Sequence, residues 1–277
     1  MQPRYAVFGQ PIAHSLSPRI HAAFGAQSGI AVDYRAIESS RDEFPHALDA
    51  FAQDGGHGAN VTLPLKEDAL AACVSLSERA RRCGSVNTLI RDGDDWFGDS
   101  TDGVGLLRDL QSRHAFDPRG MRILLLGAGG AARAAAFAFA DGGAGELVIA
   151  NRTRVRAQVL VDAIGEATLA RSCDLNDLER SAAFDLVVNA TAAGHVEETL
   201  DLPRTLVASG TLCYDLSYAK AARMFLDWSR SARATRVSDG LGMLVEQAAE
   251  SFMLWHGMHP DTAPVYAELR ARLMRLS

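Results

Sequence analysis

Residues 122–132 read RILLLGAGGAA, and this stretch decides the fold class. An apolar run typical of a buried parallel strand leads into a Gly-x-Gly-x-x-Ala turn and then into a helix-forming segment. Gly127 permits a tight turn, Gly129 lets the backbone approach a pyrophosphate, and the small Ala132 allows close packing of helix on strand. Because a strand and a helix flank the turn, a dinucleotide-binding role is favoured over a glycine-rich turn that serves packing alone. The residues predicted to contact the cofactor here are Gly127, Ala128, Gly129, Gly130 and Ala131.

The end of the next predicted strand determines which dinucleotide fits. Residues 149–156 read IANRTRVR and contain no carboxylate, whereas an NAD site normally places Asp or Glu there to bind the ribose. An arginine can hold a 2′-phosphate with two parallel hydrogen bonds, and Arg152 directly follows the strand. Arg154 and Arg156 could equally form a solvated basic start to the following helix. The sequence therefore predicts NADP as the cofactor.

The whole chain is predicted to form two α/β domains. One is a substrate domain, and the other is a Rossmann-type, doubly wound NADP-binding domain that contains the two segments above. We predict a substrate-binding catalytic domain at 1–101, the NADP domain at 102–239, and helices at 240–277 that return to the first domain. The helix that begins at Pro18 has a preceding serine as its expected cap. Predicted strands and helices of the first part, in order, are 4–8, 18–28, 32–37, 43–53, 59–62, 67–72, 85–91, 96–99 and 101–113. Later strands are predicted at 122–126, 146–150, 186–189, 212–216 and 236–238.

The composition limits which macromolecular partners and which cellular compartment we expect. The net charge of −6 argues against nucleic acid and anionic membranes as partners, because neither attracts an acidic protein. The N-terminus lacks the apolar core of a signal peptide, and no stretch is long enough to span a bilayer. The four cysteines are scattered without metal-ligand spacing, so we expect reduced thiols, no metal and a cytoplasmic protein.

Two polar segments of the first domain are candidates for catalysis. Residues 60–66, NVTLPLK, place polar side chains where a strand ends, and residues 100–102, STD, lie at the predicted domain junction, where a cleft is expected. A lysine and an aspartate that meet in a cleft form a pair suited to moving the proton of an alcohol. Either Lys66 or Asp102 alone would more simply be a surface charge.

The order of these and other segments resembles the shikimate dehydrogenase family over nearly the whole chain. The segments are 9–21 (GQPIAHSLSPRIH), 60–66, 84–89 (GSVNTL), 100–103 (STDG), 127–132, 151–153 (NRT), 189–194 (NATAAG), 214–218 (YDLSY) and 239–248 (DGLGMLVEQA). The resemblance implies reversible, NADPH-dependent reduction of 3-dehydroshikimate to shikimate, on the pathway to chorismate and the aromatic amino acids. It also implies a catalytic pair of Lys66 and Asp102, and leaves open which of the two carries the proton at each step.

The resemblance implies roles for further residues. Ser15 and Ser17 match the serines that bind the substrate carboxylate, although Ser17 could also cap the following helix. The other positions matching the substrate pocket are Asn60, Thr62, Asn87, Thr101, Tyr218 and Gln247. Those matching the 2′-phosphate segment are Asn151, Arg152, Thr153 and Arg156, and those matching the nicotinamide half are Thr191, Gly240 and Met243. For Met243, simple core packing is an equal alternative.

The chain departs from the family pattern at four positions, which are Ser100, Ala192, Lys220 and Arg223. The last two affect the loop near Tyr218 and leave the proposed proton-transfer pair untouched. Two other functions remain open at this point: a quinate/shikimate dehydrogenase with relaxed cofactor use, and a non-catalytic regulator that binds NADP or a metabolite. Expected partners are the small-molecule substrate alone, with the chain a monomer or a homodimer.

Overall fold

The computed structural model describes residues 3–195 and 201–276 of the chain. Its strands are β1 (Arg4–Gly9), β2 (Asp33–Glu38), β3 (Gly56–Val61), β4 (Ser75–Leu76), β5 (Thr88–Asp92), β6 (Asp95–Asp99), β7 (Arg122–Leu126), β8 (Glu146–Ala150), β9 (Leu169–Cys173), β10 (Leu186–Asn189), β11 (Leu212–Asp215) and β12 (Arg236–Ser238). Its helices are α1 (Ser17–Ser28), α2 (Phe44–Gln53), α3 (Lys66–Ala71), α4 (Glu78–Cys83), α5 (Asp102–His114), α6 (Gly130–Asp141), α7 (Arg154–Ile164), α8 (Arg223–Ser231), α9 (Leu241–His256) and α10 (Thr262–Leu276).

The chain divides into two units, one made of Met1–Gly105 with Leu244–Ser277 and the other of Leu106–Met243. The boundaries fall within α5 and α9, so the chain leaves the first unit along one helix and re-enters it along the other.

The first unit contains a mixed six-stranded sheet in the order β2-β1-β3-β5-β6-β4. Strands β1, β2 and β3 are parallel, whereas β5 runs antiparallel to both β3 and β6 and forms a hairpin with β6. One core cluster brings Phe8 and Val61 of the sheet together with Phe44, Leu48 and Phe51 of α2.

Side chains of α1 and α9 contact the opposite face of this sheet. Alternation along a strand places Tyr5 and Val7 of β1 on one face of the sheet. Tyr34 of β2 pairs with Tyr5, and Asn60 of β3 pairs with Val7, so these two residues lie on the same face. On this face the Tyr5 and Tyr34 rings contact Trp255 of α9.

The second unit contains a parallel sheet in the order β12-β11-β10-β7-β8-β9. Strands β7, β8, β10 and β11 are buried along almost their whole length, as the apolar run of β7 predicts for that strand. The strand order reverses between β7 and β10, which makes the carboxyl ends of these two strands the point where such sheets bind ligands. The predicted fold class, with a Rossmann-type second sheet, is confirmed.

Three short elements were not predicted, and one detail was wrong. Strand β4 has two residues, α4 has six, and β9 is an edge strand with exposed positions, so none carries a clear apolar period. The predicted serine cap before Pro18 is wrong as stated. Ser17 is itself the first residue of α1, and Leu16 precedes it without a capping side chain. Ser15 instead accepts a hydrogen bond from the Ser17 backbone N–H, with 3.3 Å between Oγ and N.

A search of the part of the chain that the structure describes found no helix with both the length and the apolar character needed to cross a membrane.

Candidate functional site

Lys66 and Asp102 meet in the first unit. Lys66 begins α3, which follows β3, and Asp102 begins α5, which follows β6, so both stand at helix starts just beyond strands of one sheet. The Lys66 Nζ atom donates to Asp102 Oδ2, and the side chains are only 14% and 5% exposed. Two charges so poorly hydrated are tolerated because each neutralises the other. An ion pair of this kind is chemically able to move the proton of an alcohol.

Asn87, the residue just before β5, holds Asp102 in place. Its Nδ2 atom lies 2.9 Å from Asp102 Oδ1, 2.8 Å from Thr101 Oγ1 and 3.1 Å from Gln247 Oε1. Its Oδ1 atom accepts the Thr101 backbone N–H at 2.7 Å. All four side chains are buried, so these bonds hold the carboxylate against rotation in a water-poor setting. The structure thus joins five sequence-predicted residues, Lys66, Asn87, Thr101, Asp102 and Gln247.

The residues just before Asp102 are also held in place, by hydrogen bonds to the Asp99 carboxylate. Arg79 donates to both carboxylate oxygens of Asp99, at 2.6 and 2.7 Å, and Asp99 Oδ1 accepts the Ser100 backbone N–H at 2.7 Å. Burial raises the pKa of Asp99, but the Arg79 and Ser77 hydrogen bonds outweigh it and hold that pKa below its ordinary value. The Ser100 hydroxyl is buried without a hydrogen-bond partner in the described part of the chain.

Asn60 extends the network to residues that the sequence analysis did not single out. Its amide reaches Tyr34, Thr88 and Ser251, and Ser251 also contacts Thr88, with 2.8 Å between the hydroxyl oxygens. Ser251 lies four positions after Gln247 and so on the same face of α9, but this spacing alone does not distinguish it from other helical serines. No local signal marks Tyr34, because only strand pairing brings β2 near β3.

The remaining predicted substrate residues lie in two places. Ser17 is buried beside the Tyr34 hydroxyl, while Ser15 and Thr62 are half-buried in the first unit. Tyr218 belongs to the second unit, where it is half-buried just before the short helical turn Ala219–Ala222.

The turn after β7 has the shape that a pyrophosphate requires. Gly127 has a φ of +110°, and a Cβ atom there would lie 2.9 Å from the Ala190 carbonyl oxygen, in the loop after β10. A Cβ atom on Gly129 would meet nothing within 4 Å. Gly129 caps α6 without a side-chain hydrogen bond, so the helix presents uncapped N–H groups beside this open space. The loop therefore fits a dinucleotide.

The segment after β8 supplies the cations predicted for a 2′-phosphate. Asn151 is half-buried and its Nδ2 atom donates to the Thr153 carbonyl at 2.9 Å, which folds the loop before α7. Arg152, Thr153 and Arg156 are exposed, with Arg156 in the first turn of α7. An exposed arginine beside a helix N-terminus suits a dianionic phosphate.

Thr191 is held by a buried pair at the ends of β10 and β11. Its hydroxyl donates to Asn189 Oδ1 at 2.7 Å, and Asn189 Nδ2 donates to Asp215 Oδ2 at 2.7 Å. Burial raises the pKa of Asp215 to about 7, against the opposing hydrogen bonds from Asn189 and Ser217. The sequence analysis assigned no function to Asn189 or Asp215, although both lie in segments that resemble the family.

Gly240 and Met243 follow β12 within the same unit. The Gly240 N–H donates to the Ser217 carbonyl at 2.8 Å, and a Cβ atom on Gly240 would collide with the Leu216 carbonyl oxygen. Met243 is 6% exposed, and its backbone N–H donates to the Tyr214 hydroxyl, which in turn donates to Asp109. These contacts define the backbone at both positions, and the Met243 side chain is buried.

No group of three or more His, Cys, Asp or Glu side chains able to hold a metal occurs among residues 3–195 and 201–276.

Comparisons with known proteins cover the chain almost completely. Family models match at residues 7–89 (shikimate dehydrogenase substrate binding domain), 110–209 (shikimate/quinate 5-dehydrogenase) and 240–270 (shikimate 5′-dehydrogenase C-terminal domain). The chain is 57% identical to a shikimate dehydrogenase (NADP(+)) of Stenotrophomonas maltophilia, covering 98% of this chain and 96% of that protein. A relative of the same name from Xanthomonas campestris is 58% identical, over 97% and 96%. The crystal structure of shikimate 5-dehydrogenase from Thermus thermophilus with NADP(H) and shikimate is similar at a TM-score of 0.83 and 34% identity, covering 97% of this chain and 99% of that one.

Proposed function

The chain belongs to the shikimate dehydrogenase family, and from this premise we propose that it is an NADP-dependent oxidoreductase that interconverts 3-dehydroshikimate and shikimate in the shikimate pathway. The observation that carries the proposal is the buried Lys66–Asp102 pair, held by Asn87 beside Thr101 and Gln247. A protein that only senses a metabolite has no need of a shielded pair of this kind.

The chain's own residues move the proton of the reaction. NADPH, when bound, supplies the hydride. Lys66 gives a proton to the reacting oxygen during reduction and takes it back during oxidation. Asp102 orients the Lys66 ammonium group and accepts a hydrogen bond from the reacting hydroxyl. Because Asn87 already holds Asp102 Oδ1, the pair needs little rearrangement when the substrate binds.

The domain roles and binding residues follow from the same proposal. Residues 1–101 and 240–277 hold the substrate, and residues 102–239 hold NADP. Ser15 and Ser17 bind the carboxylate, and Thr101, Tyr218 and Gln247 line the rest of the pocket with Asn60, Thr62 and Asn87. The loop after β7 binds the pyrophosphate, the Asn151–Arg156 segment binds the 2′-phosphate, and Thr191, Gly240 and Met243 contact the nicotinamide half. The protein works in the cytoplasm as a monomer or homodimer, without nucleic acid.

One assay tests the function directly. The purified protein is incubated with shikimate or quinate and with NADP or NAD, and absorbance of the reduced cofactor is followed. Turnover confined to shikimate with NADP is expected. Comparable turnover of quinate, or equal use of NAD, identifies a relaxed quinate/shikimate enzyme, and no turnover with any combination contradicts the enzyme assignment.

Arg152→Ala is expected to raise the KM for NADP, because the exposed guanidinium no longer meets the 2′-phosphate. The KM for NAD should stay nearly unchanged, since NAD lacks that group. Steady-state kinetics with each cofactor at saturating shikimate measure the difference. Arg154→Ala, two positions along in the same basic segment, is the matched control. Equal losses with both cofactors would rule out a phosphate contact by Arg152.

Ser17→Ala is expected to weaken shikimate binding by the loss of a charge-assisted hydrogen bond, typically worth about 1.5–3 kcal/mol. Because Ser17 does not cap α1, the thermal stability of this variant should fall only by the loss of the buried hydrogen bond with Tyr34, typically about 0.5–1.5 kcal/mol. Ser15→Ala should weaken shikimate binding and also lower stability slightly, since Ser15 Oγ accepts the Ser17 N–H. Substrate titration and thermal unfolding of both variants measure the two effects. Lowered stability with unchanged shikimate affinity would show that the serines serve the helix alone.

A further inference from the structure

The hydrogen bonds of Asn60 restrict what its side chain can offer a ligand. Its Nδ2 atom, which has two protons, faces three protein acceptors: the Asn87 carbonyl oxygen at 3.1 Å, Thr88 Oγ1 at 3.3 Å and Ser251 Oγ at 2.9 Å. Its Oδ1 atom accepts the Tyr34 hydroxyl at 2.8 Å. An amide oxygen has two lone pairs, so Oδ1 retains one acceptor position while the donors are used. Asn60 can therefore accept a hydrogen bond from a ligand hydroxyl but has no proton left to donate.

The orientation of this amide depends on few partners. The Thr88 and Ser251 hydroxyls can donate or accept, so they fit either of the two orientations that exchange Oδ1 and Nδ2. The Asn87 carbonyl oxygen can only accept, which favours the observed orientation. The Tyr34 hydroxyl could also donate or accept; in the orientation that the Asn87 carbonyl selects, it donates to Oδ1 and holds the oxygen end in place.

Tyr34 is itself held firmly. Its ring stacks on the imidazole of His21, with 4.3 Å between ring centroids and 8° between planes. His21 is fully buried, and burial lowers its pKa to about 3, so the stacked ring is neutral at neutral pH. Burial also raises the pKa of Tyr34 well above its ordinary value, so the phenol keeps the proton that it donates.

We propose that Tyr34 is a positioning residue for substrate recognition, which fixes the Asn60 amide so that Oδ1 accepts a hydrogen bond from one ring hydroxyl of the substrate. The inference rests on the proposed function, in which Asn60 contacts shikimate. It adds to that function a residue outside the predicted site and a direction for the hydrogen bond. Tyr34 belongs to β2, at the edge of the sheet, and acts through Asn60 rather than on the reacting atoms.

Tyr34→Phe removes the donor and keeps the stacked ring. The KM for shikimate should rise about 3- to 10-fold, the usual size of one net hydrogen bond. The turnover number should change less than the KM, and the KM for NADP should stay the same. Tyr5→Phe is the matched control, because Tyr5 lies on the same sheet face and contacts the same Trp255 ring. It should leave every constant unchanged.

Shikimate analogues that each lack one of the non-reacting ring hydroxyls separate positioning from a structural effect. With the analogue that lacks the hydroxyl bound by Asn60, wild type and Tyr34→Phe should show the same KM. The other analogues should show the same 3- to 10-fold difference as shikimate. An unchanged KM for shikimate in Tyr34→Phe overturns the inference, and so does an equal rise with all analogues together with a fall in Tm. If wild type itself does not oxidise shikimate, the proposed function fails instead.

Discussion

Replacement of Lys66 with alanine is expected to lower turnover by about 10²–10⁴-fold, the usual contribution of one general acid–base group. The KM values for shikimate and NADP should change much less, because the ammonium group acts mainly on the proton of the reacting oxygen. The variant leaves Asp102 buried without its counter-charge, so thermal unfolding must be measured beside the kinetics. Near-normal turnover in a folded Lys66→Ala protein would move the proton-transfer role to another residue.

Asp102→Asn tests the partner of Lys66. Asparagine keeps the shape of the side chain and removes the charge that holds the ammonium group, so turnover should again fall heavily. Because the two residues act as a unit, the double variant should be little worse than the worse single variant. The double variant also removes both charges together, so no unpaired ion is left buried. Strictly multiplicative losses would show that the two residues act independently.

Gly127→Ala is expected to damage both folding and NADP binding. The φ of +110° strains any residue with a Cβ atom, at a cost of roughly 1–3 kcal/mol. That Cβ atom would also press on the Ala190 carbonyl oxygen at 2.9 Å and shift the loop that carries Thr191. Thermal unfolding without cofactor measures the first effect, and titration with NADP measures the second.

Gly129→Ala is the matched variant of the same loop and should separate these effects. Gly129 has a φ of −85°, which alanine adopts readily, and its Cβ atom would enter open space. Stability without cofactor should therefore stay within about 0.5 kcal/mol of wild type. NADP affinity should nevertheless fall by about tenfold or more, because the methyl group occupies the space in which the pyrophosphate approaches the backbone. Unchanged NADP affinity in this variant would show that the pyrophosphate does not bind against Gly129.

The site was predicted from the sequence only where its residues lie at the ends of strongly patterned elements. Lys66 and Asp102 follow strands that end in recognisable turns, and Asn87 and Thr101 lie in short segments typical of the family. Ser251 lies in the middle of a long apolar helix, where one serine is unremarkable. Arg79 belongs to α4, a helix of six residues whose period is too short to detect.

The sequence by itself determined the elements and the chemistry that depend on neighbouring residues. The apolar run and glycines at 122–132, the missing carboxylate after β8 and the order of the family segments each act over a few positions. The tertiary structure alone decided which side chains meet across strands. The Tyr34–Asn60 contact depends on β1 lying between β2 and β3, and the Ser251–Thr88 contact joins residues 163 positions apart. Hydrogen bonds act over about 3 Å, so partners distant in sequence are fixed by packing and register rather than by local pattern.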